Sequence, residues 1–252
     1  MSDKVLHSSD QGIARIALNR PEKRNALDGE MIDTLLLALE EFAQADNLRA
    51  VVVTGTGKDF CAGADLAELL SLQDSGTTEN VADARRLANL FLQMRRHPLP
   101  IVAAVRGRAL AGGCGVATAA DIVLAAESAQ FGYPEVTIGF VPAMAMVLLR
   151  RSLPERRAFE LLALGETIAA RTAFEIGMIN HVYADDIFEK EVEAFTARLV
   201  SRPSSAVRLT KSLIHQIDSL PFEAALSAGV QTNALARLTD DCRRGIQRFL
   251  KK

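Results

Sequence analysis

The chain has 252 residues, of which 49% are hydrophobic and 24% charged, and its formal net charge is −2. This is the profile of an ordinary globular protein, long enough for one large domain or two unequal ones. The near-neutral charge, with two tyrosines and no tryptophan, argues against a nucleic-acid surface, and no apolar run reaches the roughly 18 residues of a membrane span.

The N-terminal "MSDKVLHSSDQG" is polar and lacks the basic-then-apolar order of a signal peptide. Three segments then share one plan. "IARIALNRPEKRNAL", "LRAVVVTGTGKDFCAGADL" and "PIVAAVRGRALAGGCGVA" each run from a strand-like apolar stretch, through a turn, into something helical. Further strands are expected at "DIVLAAE" and "GMINHVY". The strand-like pieces recur about every 40–50 residues, the spacing of stacked supersecondary units. Helices are expected over 28–46, 79–98 and 155–175, the second closing on basic residues and a proline. From about residue 186 the strand signal ends, and 186–201, 203–216, 221–235 and "DDCRRGIQRFLKK" read as helices. The expected organisation is an α/β core over 1–195 and a helical region over 196–252, whose amphipathic helices need the core or a neighbouring subunit to pack on.

The scattered Cys61, Cys114 and Cys242 suit packing thiols in a reducing, cytoplasmic compartment better than a disulfide framework. The four histidines have no metal-ligand spacing, so no metal is expected. "GTGKD" (55–59) lacks the register and the Ser/Thr of a phosphate-binding loop and reads as a turn. Asp65 and Asp121 read as a helix-start charge and a strand-start cap.

"FCAGADL" (60–66) and "ALAGGCGV" (109–116) each follow an apolar strand with small residues and a helix start. Helix N-termini present unpaired N–H groups, and two of them side by side can aim two donors at one oxygen. Small residues at tight strand-to-helix turns would read the same way.

"LNRPEKRNAL" (18–27), "FCAGADL" (60–66), "GRALAGGCGVATAADIVLAAESAQFGYPEVTIGFVPA" (107–143) and "GIQRFLKK" (245–252), in this order, resemble the enoyl-CoA hydratase/isomerase (crotonase) superfamily over essentially the whole chain. The resemblance implies an α/β fold built as a spiral of ββα units, with C-terminal helices that form trimers, often paired into hexamers. It implies an acyl-CoA thioester as substrate, with no cofactor beyond the coenzyme A carried by that substrate. It assigns the two backbone donors of an oxyanion hole to Ala64 and Gly112, and an acid/base role to Glu135 in "FGYPEVTIGF".

One departure stands out. Two-glutamate hydratases of the family carry a second glutamate three residues after the second donor, and that position is Gly115 here. Hydration of a 2-enoyl-CoA with Glu135 alone is the leading expectation. A single-base double-bond isomerase, or a CoA-binding relative with little activity, is the alternative. By the same resemblance Lys23 and Arg24 lie near the CoA phosphates. The carbonyls of Ala26 and Ala62 hold the adenine amino group, and Phe249 and Lys252 reach the nucleotide, often from a neighbouring subunit. Asn233 stands where some members carry a further aromatic. Leu66, Leu69, Tyr133, Phe140, Val141, Pro142 and Met144 are expected to wall the acyl pocket.

Overall fold

In the computed structural model, which describes residues 3–72 and 75–251, the chain opens on an antiparallel hairpin of β1 (Val5–Asp10) and β2 (Ile13–Leu18). Its turn residues Gln11 and Gly12 have φ of 50° and 81°, the left-handed pair that lets a two-residue turn follow strand twist. Helix α1 (Gly29–Gln44) follows, capped by Asp28, whose carboxylate accepts from the Met31 N–H at 2.8 Å. It buries Met31, Leu35, Leu39 and Phe42, one apolar stripe at helical spacing.

Next come β3 (Ala50–Gly55), α2 (Leu66–Ser71), α3 (Thr77–Arg96), β4 (Ile101–Val105), β5 (Arg108–Leu110), α4 (Gly112–Ala119), β6 (Ile122–Ala126) and β7 (Gln130–Gly132). A 3-10 turn over Pro134–Ile138 leads into α5 (Ala143–Ser152), α6 (Glu155–Leu164), β8 (Thr167–Ala169), α7 (Ala170–Glu175) and β9 (His181–Tyr183). The chain ends in α8 (Phe188–Val200), α9 (Ser204–Ile217), α10 (Phe222–Leu238) and α11 (Asp240–Leu250). No described helix is long and apolar enough to cross a membrane.

The strands form a six-stranded sheet in the order β1-β2-β3-β4-β6-β9 and a three-stranded sheet in the order β5-β7-β8. From β2 onward the large sheet is parallel. The expected ββα repeat is visible in how the units alternate. β4 and β6 join the large sheet, β5 and β7 join the small one, and a helix follows each pair. In the two earlier units the second strand shrinks to a single parallel bridge, Leu27 with Ala64 and Cys61 with Ala109.

The central strands of the large sheet, β3, β4 and β6, are buried on both faces. Val51, Val53, Ile101, Ala103, Val123 and Ala125 point into the main core, whereas Val52, Val102, Ala104, Leu124 and Ala126 meet Phe188 and Val192 of α8. Helix α8 therefore covers the sheet's second face, and a boundary at residue 195 would divide it. Only α9 to α11 lie beyond this layer, and α9 is tied down by Lys211. This side chain is 7% exposed; its ammonium pairs with Asp121 at 2.7 Å and donates to the carbonyls of Met94 and Leu99 at 3.1 and 2.9 Å.

Candidate active site

The site is built by lateral pairing. β5 lies centrally, with Cys61 bridged to Ala109 on one side and β7 paired in parallel on the other, Leu110 opposite Gly132. The Leu110 N–H donates to the Cys61 carbonyl at 2.9 Å, and the Ala111 N–H to the Gly132 carbonyl at 2.9 Å. Residues 61–64, the start of α4 and the segment after β7 thus meet at one end of the small sheet.

Between β5 and α4 the chain turns sharply at Ala111, with φ 52° and ψ −130°. That conformation suits glycine and costs an L-residue about 1–3 kcal/mol, a strain held by the surrounding pairing. The turn starts α4 at Gly112. A Cβ on Gly113 would lie 2.4 Å from the Cys61 carbonyl oxygen, so the absent side chain lets α4 press onto residues 61–63. On Gly112, a Cβ would meet only ordinary contacts, including the Ala64 nitrogen at 3.9 Å. Neither the Ala64 N–H nor the Gly112 N–H donates a hydrogen bond among the described residues. Two free donors therefore sit next to each other on the wall of one cavity of about 190 Å³.

Glu135 lies in the same wall, in the 3-10 turn after Pro134. It is 8% exposed, and its Oε2 has no hydrogen-bond partner among the described residues. Burial pushes its carboxyl above the ordinary glutamate pKa. It is the one ionisable side chain lining the cavity among the described residues; most of the rest is apolar. Two unpaired N–H donors and one destabilised carboxylate on one wall are the groups needed to polarise a carbonyl oxygen and move a proton at a nearby carbon.

Of the residues expected to wall an acyl pocket, all but one line this cavity. Leu66, Leu69, Phe140, Val141, Pro142 and Met144 all line the cavity. Tyr133 does not, which corrects the sequence expectation. It is 1% exposed and its hydroxyl faces Cys114 and Thr118 behind the wall. Pro134 opens the 3-10 turn directly after Tyr133, so Tyr133 stays in the core while Glu135 reaches the cavity. Sequence reasoning missed Leu87, Thr137 and Ile138, which also line it. It also missed Phe91, one helical turn beyond Leu87 on α3. A Cβ on Gly115 would stand 2.5 Å from Phe91 Cζ and 3.2 Å from Ala145 Cβ. The space beside Gly115 is thus filled by the Phe91 ring.

The expected CoA-binding residues divide. Lys23 and Arg24 are exposed on a tight turn, where Arg24 and Asn25 have φ of 53° and 55°. Buried Asn25 fixes that turn, donating to the carbonyls of Thr56 and Asp59 at 2.9 and 2.8 Å and accepting from the Arg20 N–H at 2.8 Å. The Ala62 N–H donates to the Arg24 carbonyl at 3.0 Å, which brings the turn beside the cavity. Ala62 lines the cavity, and the Ala26 carbonyl accepts from Arg20 Nη1 at 2.7 Å. Phe249 is 79% exposed on α11 and lies outside its own chain's cavity wall; Lys252 falls outside the described residues.

The remaining expectations concern structural residues. Asp65 caps α2 by accepting from the Ala67 N–H at 3.0 Å and pairs with Arg20 at 2.9 Å. Asp121 accepts from the Ile101 N–H at 2.7 Å at the start of β4. Cys61 and Cys114 are fully buried, and burial pushes both thiols up to about 12, so they pack rather than react.

This geometry has close relatives. The sequence profile described as "Enoyl-CoA hydratase/isomerase" matches residues 8–252. A putative enoyl-CoA hydratase of Thermus thermophilus is 39% identical over 240 residues, covering 95% of both chains. The 2,3-dehydroadipyl-CoA hydratase of Escherichia coli is 32% identical over 253 residues, covering 100% of this chain and 97% of that one. The crystal structure of an enoyl-CoA hydratase from Mycobacterium smegmatis superposes with a TM-score of 0.94 at 29% identity, covering 99% of this chain and 97% of that one. Sequence, fold and the meeting of the two glycine-rich turns agree: the chain belongs to the enoyl-CoA hydratase/isomerase family.

Proposed function

We propose that the protein adds water to a 2-enoyl-CoA thioester, with the Ala64 and Gly112 N–H groups binding the thioester oxygen and Glu135 moving the proton. One observation carries the reading. Among the described residues, the sole ionisable side chain on the cavity wall lies in the same wall as two N–H groups that have no other acceptor. Ionised Glu135 takes a proton from water as the water oxygen bonds to C3. The C2=C3 electron pair moves into the thioester, and the enolate oxygen accepts from both N–H groups. Glu135 then returns its proton to C2, giving the 3-hydroxyacyl thioester with no net change at the enzyme. Removing one such donor typically costs about 3–4 kcal/mol of transition-state stabilisation. Lys23 and Arg24 serve the CoA phosphates, and the carbonyls of Ala26 and Ala62 the adenine.

A second reading is favoured by Phe91, whose ring occupies the Gly115 side of the site. With one carboxylate and a phenyl plug, the same base could instead carry a proton from C2 to C4 of a 3-enoyl-CoA. Crotonyl-CoA separates the two: loss of enoyl absorbance with formation of 3-hydroxybutyryl-CoA supports hydration. Isomerisation of a 3-enoyl-CoA without hydration would replace it with the second reading. Binding of CoA esters without either reaction would make the protein a CoA-binding relative.

A further inference from the structure

The acyl cavity does not stand alone. Met144 lines it and also lines a second cavity of about 370 Å³, whose walls include Phe91, Arg95, Arg96, Arg151 and Asp218. Arg95 pairs with Asp218 at 3.6 Å and Arg151 is bonded to the same carboxylate. No carboxylate among the described residues pairs with Arg96. Behind His215, Asp121 is already matched by Lys211 at 2.7 Å. Among the described residues three guanidiniums and one carboxylate thus line this cavity, two of the guanidiniums sharing that carboxylate, and burial already disfavours the charge on Arg95.

The first cavity, at about 190 Å³, is little larger than the ~150 Å³ apolar void that holds one benzene. It suits an acyl group of about six carbons, whose far end then meets Met144. An unbranched thioether with three rotatable bonds is the side chain best able to swing aside there. A plain alkyl end arriving among guanidiniums would desolvate them for no return. A carboxylate end would accept their paired N–H groups.

We propose that the acyl site extends past Met144 into this basic cavity, and that the preferred substrates are short acyl-CoA thioesters ending in a carboxylate. The inference rests on the thioester reading above and names its substrate class. Arg95 and Arg151 are the specificity residues, freed in part from Asp218 by the incoming carboxylate.

The test compares two pairs of six-carbon thioesters, with and without a terminal carboxylate. Saturated members serve as non-reacting inhibitors and 2-enoyl members as substrates. On the wild-type protein the carboxylated ester should bind and react at least tenfold better, and rising KCl should narrow that gap. Arg95→Gln and Arg151→Gln should cut the preference at least fivefold, through KM and Ki rather than kcat. Equal binding of the two saturated esters to wild type, or tighter binding of the uncharged one, overturns the proposal without using any variant. An undiminished preference in folded Arg95→Gln and Arg151→Gln proteins overturns it as well. Failure of both 2-enoyl esters to react, with the carboxylated inhibitor still preferred, would instead remove the hydratase reading and leave the specificity site standing.

Discussion

At the scale of single residues, the proposed reaction depends on backbone donors and one carboxyl group. Glu135→Gln should lower turnover by about 10²–10⁴ while leaving CoA-ester affinity nearly unchanged, since the amide keeps the shape and loses the base. The ionised form is the active one, and burial raises its pKa, so the acid limb of kcat should lie above the ordinary glutamate value of 4.5. The stability consequence has the opposite sign to a salt-bridged carboxylate. Folded protein holds this proton more tightly than unfolded chain, so stability is lost as pH rises through the raised pKa. Glu135→Gln should therefore match wild type in urea midpoint near pH 4 and exceed it at pH 8. Gly112→Ala offers a complementary check. A methyl there meets only ordinary contacts but stands 3.9 Å from the Ala64 nitrogen, so under the proposed reading it would crowd the thioester oxygen. A melting temperature near wild type with turnover reduced at least a hundredfold is expected; full activity would detach the two N–H groups from the reaction. Gly115→Glu tests the phenyl plug. Helix propensity favours the change by up to about 1 kcal/mol, but a Cβ 2.5 Å from Phe91 Cζ brings overpacking of about 1–3 kcal/mol. The variant should be less stable and no more active in hydration, and adding Phe91→Ala should recover stability. A stable single variant with faster hydration would show that the plug yields.

At the scale of elements, legibility followed the length of the signal. β3, β4 and β6 were readable because they are buried on both faces and appear as nearly continuous apolar runs, and β2 because Arg15 alone interrupts its apolar residues. β1, with only Val5 buried, carries almost no alternation, and β5, β7 and β8 are three residues each, too short to show a period. One helix was expected over 155–175, but Gly165, with φ 66°, ends α6 and β8 intervenes before α7. The short strands matter most to the candidate site, since β5 and β7 carry Gly112 and Glu135 to one cavity. No side-chain pattern announces a free backbone N–H, so the site was legible only through motifs quoted whole. Phe91 was not legible, because its meeting with Gly115 exists only once α3 packs on α4. The same limit hid Lys211, a lone lysine in an amphipathic helix until α9 docks over Asp121 and the carbonyls of Met94 and Leu99. Lys211→Met should cost about 3–5 kcal/mol, because Asp121 then keeps its largely buried charge with only His215 and the Ile101 N–H as partners. Denaturant unfolding checks this, and the loss should shrink in Asp121→Asn/Lys211→Met, where no charge is stranded. A single-variant cost below 1 kcal/mol would mean that α9 is held by its apolar stripe.

At the scale of the whole molecule, the C-terminal helices are the unfinished part. α10 exposes Phe222, Leu226 and Val230 at four-residue spacing, and α11 exposes Ile246, Phe249 and Leu250. Monomers seldom leave so continuous an apolar stripe in water, and closed symmetric assembly is the usual way to cover one. The trimer or hexamer expected from the sequence would do so, and would account for Phe249 lying outside its own chain's cavity wall while matching a nucleotide-contacting position. Light scattering at micromolar concentration should give three or six times the chain mass. Val230→Glu with Phe249→Asp should dissociate the assembly, because each change buries a carboxylate in an apolar contact. If Phe249 completes the neighbour's nucleotide site, the dissociated protein should show a raised KM for CoA thioesters with kcat far less affected. Glu135 and the two N–H groups belong to one chain and would remain in place. Circular dichroism would confirm that the core persists, as α8 already closes the second face of the sheet without help from α10 or α11. A wild-type monomer would leave the apolar stripe to some other partner. A dissociated variant with unchanged KM would keep the assembly but remove Phe249 from the substrate's reach.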